Sequence, residues 1–292
     1  MENVVVGIGE ALWDMLPEGR RPGGAPANFA YHVSQFGLPG YAVSAVGDDS
    51  LGEELVGIFQ EKGLHCHMAV VPFPTGTVDV ELDAAGVPRY DIREDVAWDN
   101  IPFTPELEAL AKRTRAVCFG SLAQRGPVSR GTINRFLDAM APGDGALVVF
   151  DVNLRQHYYD EDVLRSSMER CNVLKINDEE LAEVGRLFGM RDFDFKMTCR
   201  ALVEKFALKI LILTCGTDGS YVFTPGCESF IPTPVVDVAD TVGAGDSFTA
   251  AFTACILKGM TVTEAHEAAV RTSAYVCTQH GATPQLPGDL IV

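Results

Sequence analysis

Basic residues are scarce in this sequence: 23 lysines and arginines stand against 40 aspartates and glutamates, which gives a formal net charge of -17. A surface this acidic repels nucleic-acid phosphates and anionic membranes. No apolar run reaches the roughly 20 residues that a membrane span requires, and no basic segment precedes an apolar core at the amino terminus. We therefore expect a soluble, cytoplasmic protein with no nucleic-acid or membrane partner, in which local groups hold any anionic ligand.

The sequence also lacks low-complexity segments, internal repeats and paired cysteine motifs. Its eight cysteines include no C-x-x-C pair, and most lie in apolar stretches. This pattern predicts reduced core thiols. With 292 residues, of which 47% are hydrophobic, the chain is long enough to bury a large core as one domain over residues 1–292.

Short β-branched runs alternate with helical patterns along the chain. Strands are predicted at 4–9, 41–47, 116–120, 146–152, 172–176 and 209–214. Helices are predicted at 25–36, 51–62, 105–113, 128–140, 178–188, 196–206, 246–258 and 262–278. Because the strands are apolar on both faces, they suit a central, mostly parallel sheet that is flanked by helices. The predicted fold class is α/β.

The stretch 75–83 departs from this rhythm, because apolar and polar residues alternate along it. The alternation resumes over 89–95 after a turn at 84–86, which indicates an antiparallel hairpin with one face in water. We expect a small β lid, built from roughly 12–22 and 75–98, over the carboxyl ends of the main strands. An ordinary edge hairpin is the alternative. Exposed apolar positions on the hairpin would suit a homodimer formed through the lid.

A glycine-bearing segment, DTVGAGDSF (240–248), opens directly into an apolar helix. Glycines at 243 and 245 permit unusual backbone conformations, and free amides of Gly243, Ala244 and Gly245 at a helix amino terminus can hold a phosphoryl oxygen. Asp246 at the mouth of the same pocket suits a general base, because phosphoryl transfer needs one acceptor beside the attacking hydroxyl. A helix N-cap behind a tight turn is the alternative for Asp246.

This segment resembles the carboxyl-terminal signature of the ribokinase-like (PfkB) carbohydrate kinase family. A second string, RPGGAPANFA (21–30), resembles a family motif near the amino terminus, so the resemblance covers nearly the whole chain. It is closest to fructokinases through residues 9–32. The resemblance implies ATP-dependent phosphorylation of a sugar hydroxyl, most readily fructose to fructose 6-phosphate, with ATP and Mg²⁺ as cofactors.

The resemblance also implies a set of acceptor-site residues. Asp246 would be the catalytic base and residues 243–245 the anion hole. Asp14 matches a sugar-binding aspartate, and Gly23, Gly24 and Asn28 match residues that line the sugar site. Physically, the glycines permit close approach of a polyol, and the amide of Asn28 offers both a donor and an acceptor. From the residues alone, Asp14 could instead cap a turn and the glycine pair could be only a loop.

Two further segments that follow predicted strands resemble family motifs. In DVNLR, Asn153 and Arg155 could face substrate or phosphate, although an arginine that anchors the lid would look the same. In NDEE, Asn177 and Glu180 match an N-x-x-E motif that is associated with magnesium, which carboxylates and amides commonly reach through water. A helix capping box is compatible with that role.

The segment TCGTDGS (214–220) resembles a nucleotide-contact turn of the family. It would place Thr214, Gly216 and Gly219 near the phosphates or ribose of ATP. A plain glycine hairpin turn is the alternative.

Two departures from the family pattern bear on the cation requirement and on the sugar acceptor. Relatives that bind a monovalent cation use an aspartate like Asp240 and a later segment in which Gln285 here replaces a small hydroxyl residue, which argues against potassium activation. Only Ser121 and Gln124 stand where ribokinases have an acidic sugar contact, which disfavours ribose. The alternatives left open are another acceptor (ribose, 2-keto-3-deoxygluconate, a sugar phosphate or a nucleoside) and a non-catalytic sugar sensor.

Overall fold

The fold is built on two sheets, one large and one small, with helices on both faces of the large one. The computed structural model describes residues 3–16, 19–82, 88–140, 145–190 and 194–291. Within these residues the strands are β1 (Val4–Ile8), β2 (Leu12–Leu16), β3 (Gly19–Gly23), β4 (Gly40–Gly47), β5 (His65–Val71), β6 (Gly76–Leu82), β7 (Pro88–Ile92), β8 (Thr114–Gly120), β9 (Leu147–Asp151), β10 (Val173–Asn177), β11 (Ile210–Thr214), β12 (Ser220–Phe223) and β13 (Glu228–Ile231).

The α-helices of the described residues mostly connect consecutive strands. They are α1 (Ala25–Gln35), α2 (Ser50–Glu61), α3 (Pro105–Arg113), α4 (Pro127–Ala139), α5 (Glu161–Arg170), α6 (Asp178–Leu187), α7 (Phe195–Lys205), α8 (Ala244–Leu257) and α9 (Val262–Cys277).

The large sheet has nine described strands in the order β13-β12-β11-β10-β9-β8-β1-β4-β5. All neighbours from β11 to β5 pair in parallel, and only β12 and β13 join antiparallel. The prediction of a mostly parallel α/β sheet is thus confirmed. Because seven strands run in one direction, their carboxyl ends meet at one edge, where ligands of such folds bind.

Alternate residues of the central strands enter separate cores on the two faces of the sheet. Along β1, Val4, Val6 and Ile8 join one buried cluster and Val5 joins another. The first cluster is covered by α3 to α7, whereas α1, α8 and α9 cover the second. This arrangement explains why the strands read as continuous apolar runs.

The second sheet has the order β3-β2-β6-β7, with β2 parallel to β6 and β6 antiparallel to β7. The antiparallel hairpin is confirmed, while its turn at 84–86 lies outside the described residues. The sheet is anchored by Trp13, which is fully buried among residues of α1 and α2 and donates its indole N–H to the Leu51 carbonyl at 2.9 Å. That this sheet is a lid, and that a homodimer forms through it, remain predictions.

Some elements escaped prediction because their apolar signal is weak. Helix α5 is strongly polar and buries only one narrow stripe that includes Val163 and Met168. Strand β5, at the edge of the large sheet, has no fully buried residue, and β12 and β13 have four residues each. Such short or half-wet strands carry little periodicity.

All eight cysteines lie within the described residues as free thiols, and Cys118, Cys171, Cys199 and Cys255 are buried. The prediction of reduced cysteines therefore agrees with the fold. No described helix combines the length and apolar character that crossing a membrane would need.

Close packing of α1 on β1 predicts a steric effect at Gly7. A Cβ added there would overlap the Pro26 carbonyl oxygen, whereas one added at Gly57, within α2, would meet nothing within 4 Å. We expect Gly7→Ala to destabilise the fold by about 1–3 kcal/mol or more. Gly57→Ala should be neutral or slightly stabilising. Thermal unfolding of both variants checks this, and equal midpoints would contradict the packing.

Candidate active site

The candidate residues gather at the carboxyl edge of the parallel strands. Glu10 lies just beyond β1, while Asp151, Asn177 and Thr214 are the last residues of β9, β10 and β11. In the register of the sheet, Asn177 lies directly opposite Thr214. The predicted acceptor, metal and nucleotide segments therefore share one edge of the sheet.

The amino terminus of α8 leaves backbone amides unpaired at this edge. Gly243 is its N-cap, with φ 78°, and an added Cβ would lie 2.6 Å from the Ala282 carbonyl oxygen, so only glycine fits. The Ala244 amide donates to the Thr241 carbonyl at 3.3 Å, but the amides of Gly243, Gly245 and Asp246 have no acceptor among the described residues. These amides, at the positive end of the helix dipole, suit an anion.

Asp246 lies in the first turn of α8, so it is not the N-cap that the alternative reading assumed. Its Oδ2 accepts a hydrogen bond from Asn28 Nδ2 at 2.8 Å, which joins two predicted site residues from opposite ends of the chain. Burial, with the nearby Asp151 carboxylate, raises the pKa of Asp246 from 3.8 to about 6, although the Asn28 hydrogen bond and the charges of Lys175 and Arg155 oppose this rise.

The predicted sugar residues lie on β2, β3 and the start of α1. Gly24 is the N-cap of α1, with φ 121° and no side-chain cap, and it precedes the buried Asn28 by one turn. Gly23 packs against Asp14, since an added Cβ would lie 2.7 Å from Asp14 Oδ2. Burial raises the pKa of Asp14, while the positive charges of Arg155 and Arg21 counteract it. The structure thus brings the predicted sugar residues together.

Asn153 and Arg155 follow β9, close to the carboxyl groups of the candidate site. The charge of Arg155 lowers the pKa values of Asp14, Glu10 and Asp246 alike, so its guanidinium lies within electrostatic reach of all three carboxyl groups. Asn153 has a left-handed backbone, with φ 42°, and lines one cavity together with Asp246. Asp14 belongs to the small sheet, so Arg155 could either contact the substrate or hold the small sheet in place as a lid anchor.

Asn177 and Glu180 form a complete capping box at the start of α6. Asn177 Oδ1 accepts from the Glu180 amide at 2.8 Å, and Glu180 Oε2 accepts from the Asn177 amide at 2.9 Å. Glu180 Oε1 accepts from the Leu154 amide at 2.9 Å, so both carboxylate oxygens already serve backbone amides. Within the described residues, no group of three His, Cys, Asp or Glu side chains could hold a metal ion. A magnesium ion would therefore reach this pair only through water.

Thr214, Gly216 and Gly219 belong to the hairpin that joins β11 to β12. The Cys215 amide donates to the Gly219 carbonyl at 2.9 Å and closes the turn. The plain hairpin turn is thus the local structure. Because Thr214 pairs with Asn177, this turn lies next to the start of α6, at the same edge of the sheet as the start of α8. The role of Thr214, Gly216 and Gly219 in nucleotide binding remains a prediction.

Lys175 and Asp151 form a buried ion pair that the sequence reading missed. Lys175 Nζ lies 3.1 Å from Asp151 Oδ1, and both residues are buried. Burial alone would lower the pKa of Lys175, but the Asp151 and Glu180 carboxylates raise it above its ordinary value. A Cβ added to Gly245 would lie 3.2 Å from Lys175 Nζ, so the ammonium group packs beneath the first turn of α8. The sequence offers one signal for this pair, because a lysine inside an apolar parallel strand needs a buried partner of opposite charge.

A second missed contact connects the small sheet to the loop before α8. Arg21, on β3, lies 3.2 Å from Asp240 Oδ2, which also accepts from the Gly281 amide at 3.1 Å. Asp240, which the resemblance in the sequence would place beside a monovalent cation, therefore forms an ion pair with an arginine in this structure. The expectation against potassium activation remains a prediction.

Comparisons with known proteins fit this geometry. The family model described as "pfkB family carbohydrate kinase" matches residues 18–288. The ATP-dependent 6-phosphofructokinase of Thermoanaerobacterium thermosaccharolyticum is 28% identical, over 97% of this chain and 90% of that protein. Fructokinase-1 of Zea mays is 26% identical, over 98% of this chain and 95% of that protein.

A solved structure shows the same fold. The fructokinase of Xylella fastidiosa with bound ATP superposes with a TM-score of 0.85 at 22% identity, over 98% of this chain and 96% of that chain. At this identity the match concerns the fold alone, whereas the family model spans nearly the whole sequence. The chain belongs to the PfkB family of carbohydrate kinases.

Proposed function

We propose that this sugar kinase transfers the γ-phosphoryl group of ATP to fructose and forms fructose 6-phosphate, with Asp246 as the general base. One observation carries the proposal. The first turn of α8 presents unpaired amides at Gly243 and Gly245 together with a carboxylate that Asn28 holds at 2.8 Å. A phosphoryl group and an attacking hydroxyl could therefore meet on one helical turn.

On the acceptor side, Asp14 and Asn28 would bind sugar hydroxyls. Asp246 would accept the proton of the attacking hydroxyl as the new bond to phosphorus forms. The raised pKa of about 6 suits this task, because a base gains proton affinity as its pKa approaches the working pH while it remains mostly ionised near neutrality.

On the phosphoryl side, the α8 amides would stabilise charge on the transferred group. Lys175, beneath the same turn, is ion-paired with Asp151, so its positive charge would act on the phosphoryl group only as part of that pair. The hairpin with Thr214, Gly216 and Gly219 would contact ATP. Mg²⁺ supplies charge neutralisation between the phosphates when it is bound.

The small sheet would act as a lid that keeps water from the phosphoryl group. Support comes from Asp14 and Arg21, which belong to this sheet and face the acceptor space and the Asp240 loop. The small sheet supplies a residue for sugar binding and also contacts the loop before α8. Sugar binding could therefore help to order the anion site at the start of α8.

A phosphorylated sugar is the second candidate acceptor. Arg21 and Arg155 bring two positive charges to Asp14, and such charges would suit an acceptor that carries its own phosphate. The 28% identical relative from Thermoanaerobacterium thermosaccharolyticum bears the name of a 6-phosphofructokinase.

An acceptor screen tests the proposal. The purified protein, with ATP and Mg²⁺, would be assayed for ADP release with fructose, fructose 6-phosphate, ribose, 2-keto-3-deoxygluconate and a nucleoside. We expect the highest kcat/KM with fructose. A clear preference for fructose 6-phosphate would replace the first candidate with the second. Silence with every acceptor would contradict catalysis and favour a sugar sensor.

Asp246→Asn should lower kcat by roughly 10²-fold or more, because the amide cannot take the proton of the hydroxyl. Binding of the sugar should persist, since the shape of the side chain is kept. Steady-state kinetics and calorimetric titration with the sugar measure the two effects. Asp162→Asn, at an exposed site on α5, is the matched control. A variant at 246 with near-normal turnover would rule out the general-base role.

The pH dependence follows from the ionisation of Asp246. Catalysis needs the carboxylate, so kcat/KM should fall as the pH drops through about 6, where an aspartate of pKa 3.8 would remain fully active. Initial rates between about pH 5 and pH 8, with circular dichroism as a check on folding, measure this. A rate that stays constant down to about pH 5 in folded protein would contradict the proposed state of Asp246.

A further inference from the structure

Glu10 is a buried carboxyl group that the proposed reaction does not use. It lies between Gly9 and Ala11, directly after the central strand β1, and is 4% exposed. Its Oε2 is buried and has no hydrogen-bond partner among the residues that the structure describes. An unpartnered buried carboxyl oxygen is costly, so its position needs an explanation.

A small cavity lies against this carboxyl group. The cavity has about 10 Å³ of room for the centre of a water molecule, which corresponds to a single water. Glu10 and Asp246 both line it, together with Asp151, Asn153 and Thr249. A buried water is stable where it finds two or more polar partners, and the orphan Oε2 of Glu10 is one such partner.

Burial favours the neutral form of Glu10. It raises the pKa of Glu10 from 4.5 to about 7, and the charge of Asp246 adds to this rise, while hydrogen bonds from the backbone amides of Glu10 and Ala25 and the positive charge of Arg155 oppose it. Cys118 and Asp151 complete the titratable lining, and α1 contributes apolar side chains to it. The two carboxyl groups therefore differ: Asp246 ionises around pH 6, whereas Glu10 releases its proton only around pH 7.

We propose that one buried water in this cavity links the carboxyl groups of Glu10 and Asp246, and that Glu10 is thereby a positioning residue for Asp246. The neutral Glu10 donates its O–H to the water, and the water donates to the Asp246 carboxylate. Asn28 binds Asp246 from its own side at 2.8 Å, so the two contacts together fix the direction of the carboxylate. The part of this inference that concerns catalysis rests on the proposed function; the linked pair does not.

The linkage has a definite sign. Since the folded-state pKa of Glu10 lies above that of the unfolded chain, the folded protein holds a proton that the unfolded chain releases between about pH 4.5 and pH 7. Glu10 therefore costs stability as the pH rises through this window, and Glu10→Gln removes that cost. The melting temperature of Glu10→Gln minus that of wild type should grow by on the order of 5–10 °C between about pH 5 and pH 8.

A pH-dependent double-mutant cycle tests the pair without reference to activity. In an Asp246→Asn background the neighbouring charge is gone, so the pKa of Glu10 falls and the effect of Glu10→Gln at about pH 7 should become smaller, while the part that is due to burial stays. Glu267→Gln, exposed on α9, should have the same small effect in both backgrounds. An equal effect of Glu10→Gln in both backgrounds would overturn the pair.

Kinetics test whether Glu10 positions Asp246 for catalysis. The kcat of wild type at saturating ATP and Mg²⁺ should decline several-fold above about pH 7 as Glu10 ionises, and Glu10→Gln should lack this decline. Glu10→Ala should lose activity that Glu10→Gln retains. Superimposable pH profiles of wild type and Glu10→Gln would overturn the positioning role. An inactive wild type would overturn the proposed function. The double-mutant cycle in thermal stability would still test whether Glu10 and Asp246 interact.

The water itself is directly observable. A crystal structure of the free protein should show one ordered water within hydrogen-bond distance of Glu10 Oε2 and the Asp246 carboxylate. An empty cavity, or a direct bond between the two carboxyl groups, would overturn the proposed bridge.

Discussion

The hydrogen bond between Asn28 and Asp246 is the contact on which the candidate site depends. It joins the first turns of α1 and α8, which lie on the same face of the large sheet. Apolar packing brings these turns together, since Phe29 of α1 shares a buried cluster with Phe248 and Phe252 of α8. Because apolar packing fixes the two helices, the hydrogen bond between Asn28 and Asp246 holds both side chains in one geometry.

Both helices also begin without a side-chain cap. Gly24 and Gly243 occupy the N-cap positions with positive φ, and neither supplies an acceptor to the following amides. Most other helices of the described residues take the opposite course: Asp49, Asp160 and Thr261 accept hydrogen bonds from amides of the helices that they cap. A glycine N-cap costs only about a few tenths of a kcal/mol relative to a side-chain cap, and a ligand at that position can supply the missing acceptor.

The local electrostatics explain how so acidic a chain can hold an anionic nucleotide. The net charge of -17 repels ATP at long range. Close to α8, however, the helix dipole and the guanidinium of Arg155 favour negative charge, while Lys175 and Asp151 form an ion pair beneath the helix. The Asp151 carboxylate keeps Lys175 charged in its buried position, and Lys175 in turn lowers the pKa of Asp246. These few groups, rather than the overall field, would set the affinity for phosphate.

Local signals in the sequence predict the main strands, most helices and the α8 segment, because these elements carry strong periodicity or a distinctive glycine pattern. The pairings between distant residues are different. Arg21 meets Asp240 across 219 positions, and nothing local marks either residue as the partner of the other. Lys175 is explicable only once the register places Asp151 beside it on the next strand.

The same distinction applies to Glu10. Its position after a strand was visible in the sequence, but its burial and its cavity result from the packing of α1 and α8 against β1 and β8. Long-range geometry of this kind can be read only from the folded chain.

The most direct test of the proposed mechanism is a crystal structure of the protein with a sugar acceptor and a non-hydrolysable ATP analogue. We expect a sugar hydroxyl within about 3 Å of the Asp246 carboxylate and phosphate oxygens against the amides of Gly245 and Asp246. A sugar bound away from Asp246, or a phosphate chain that leaves the first turn of α8 empty, would contradict it.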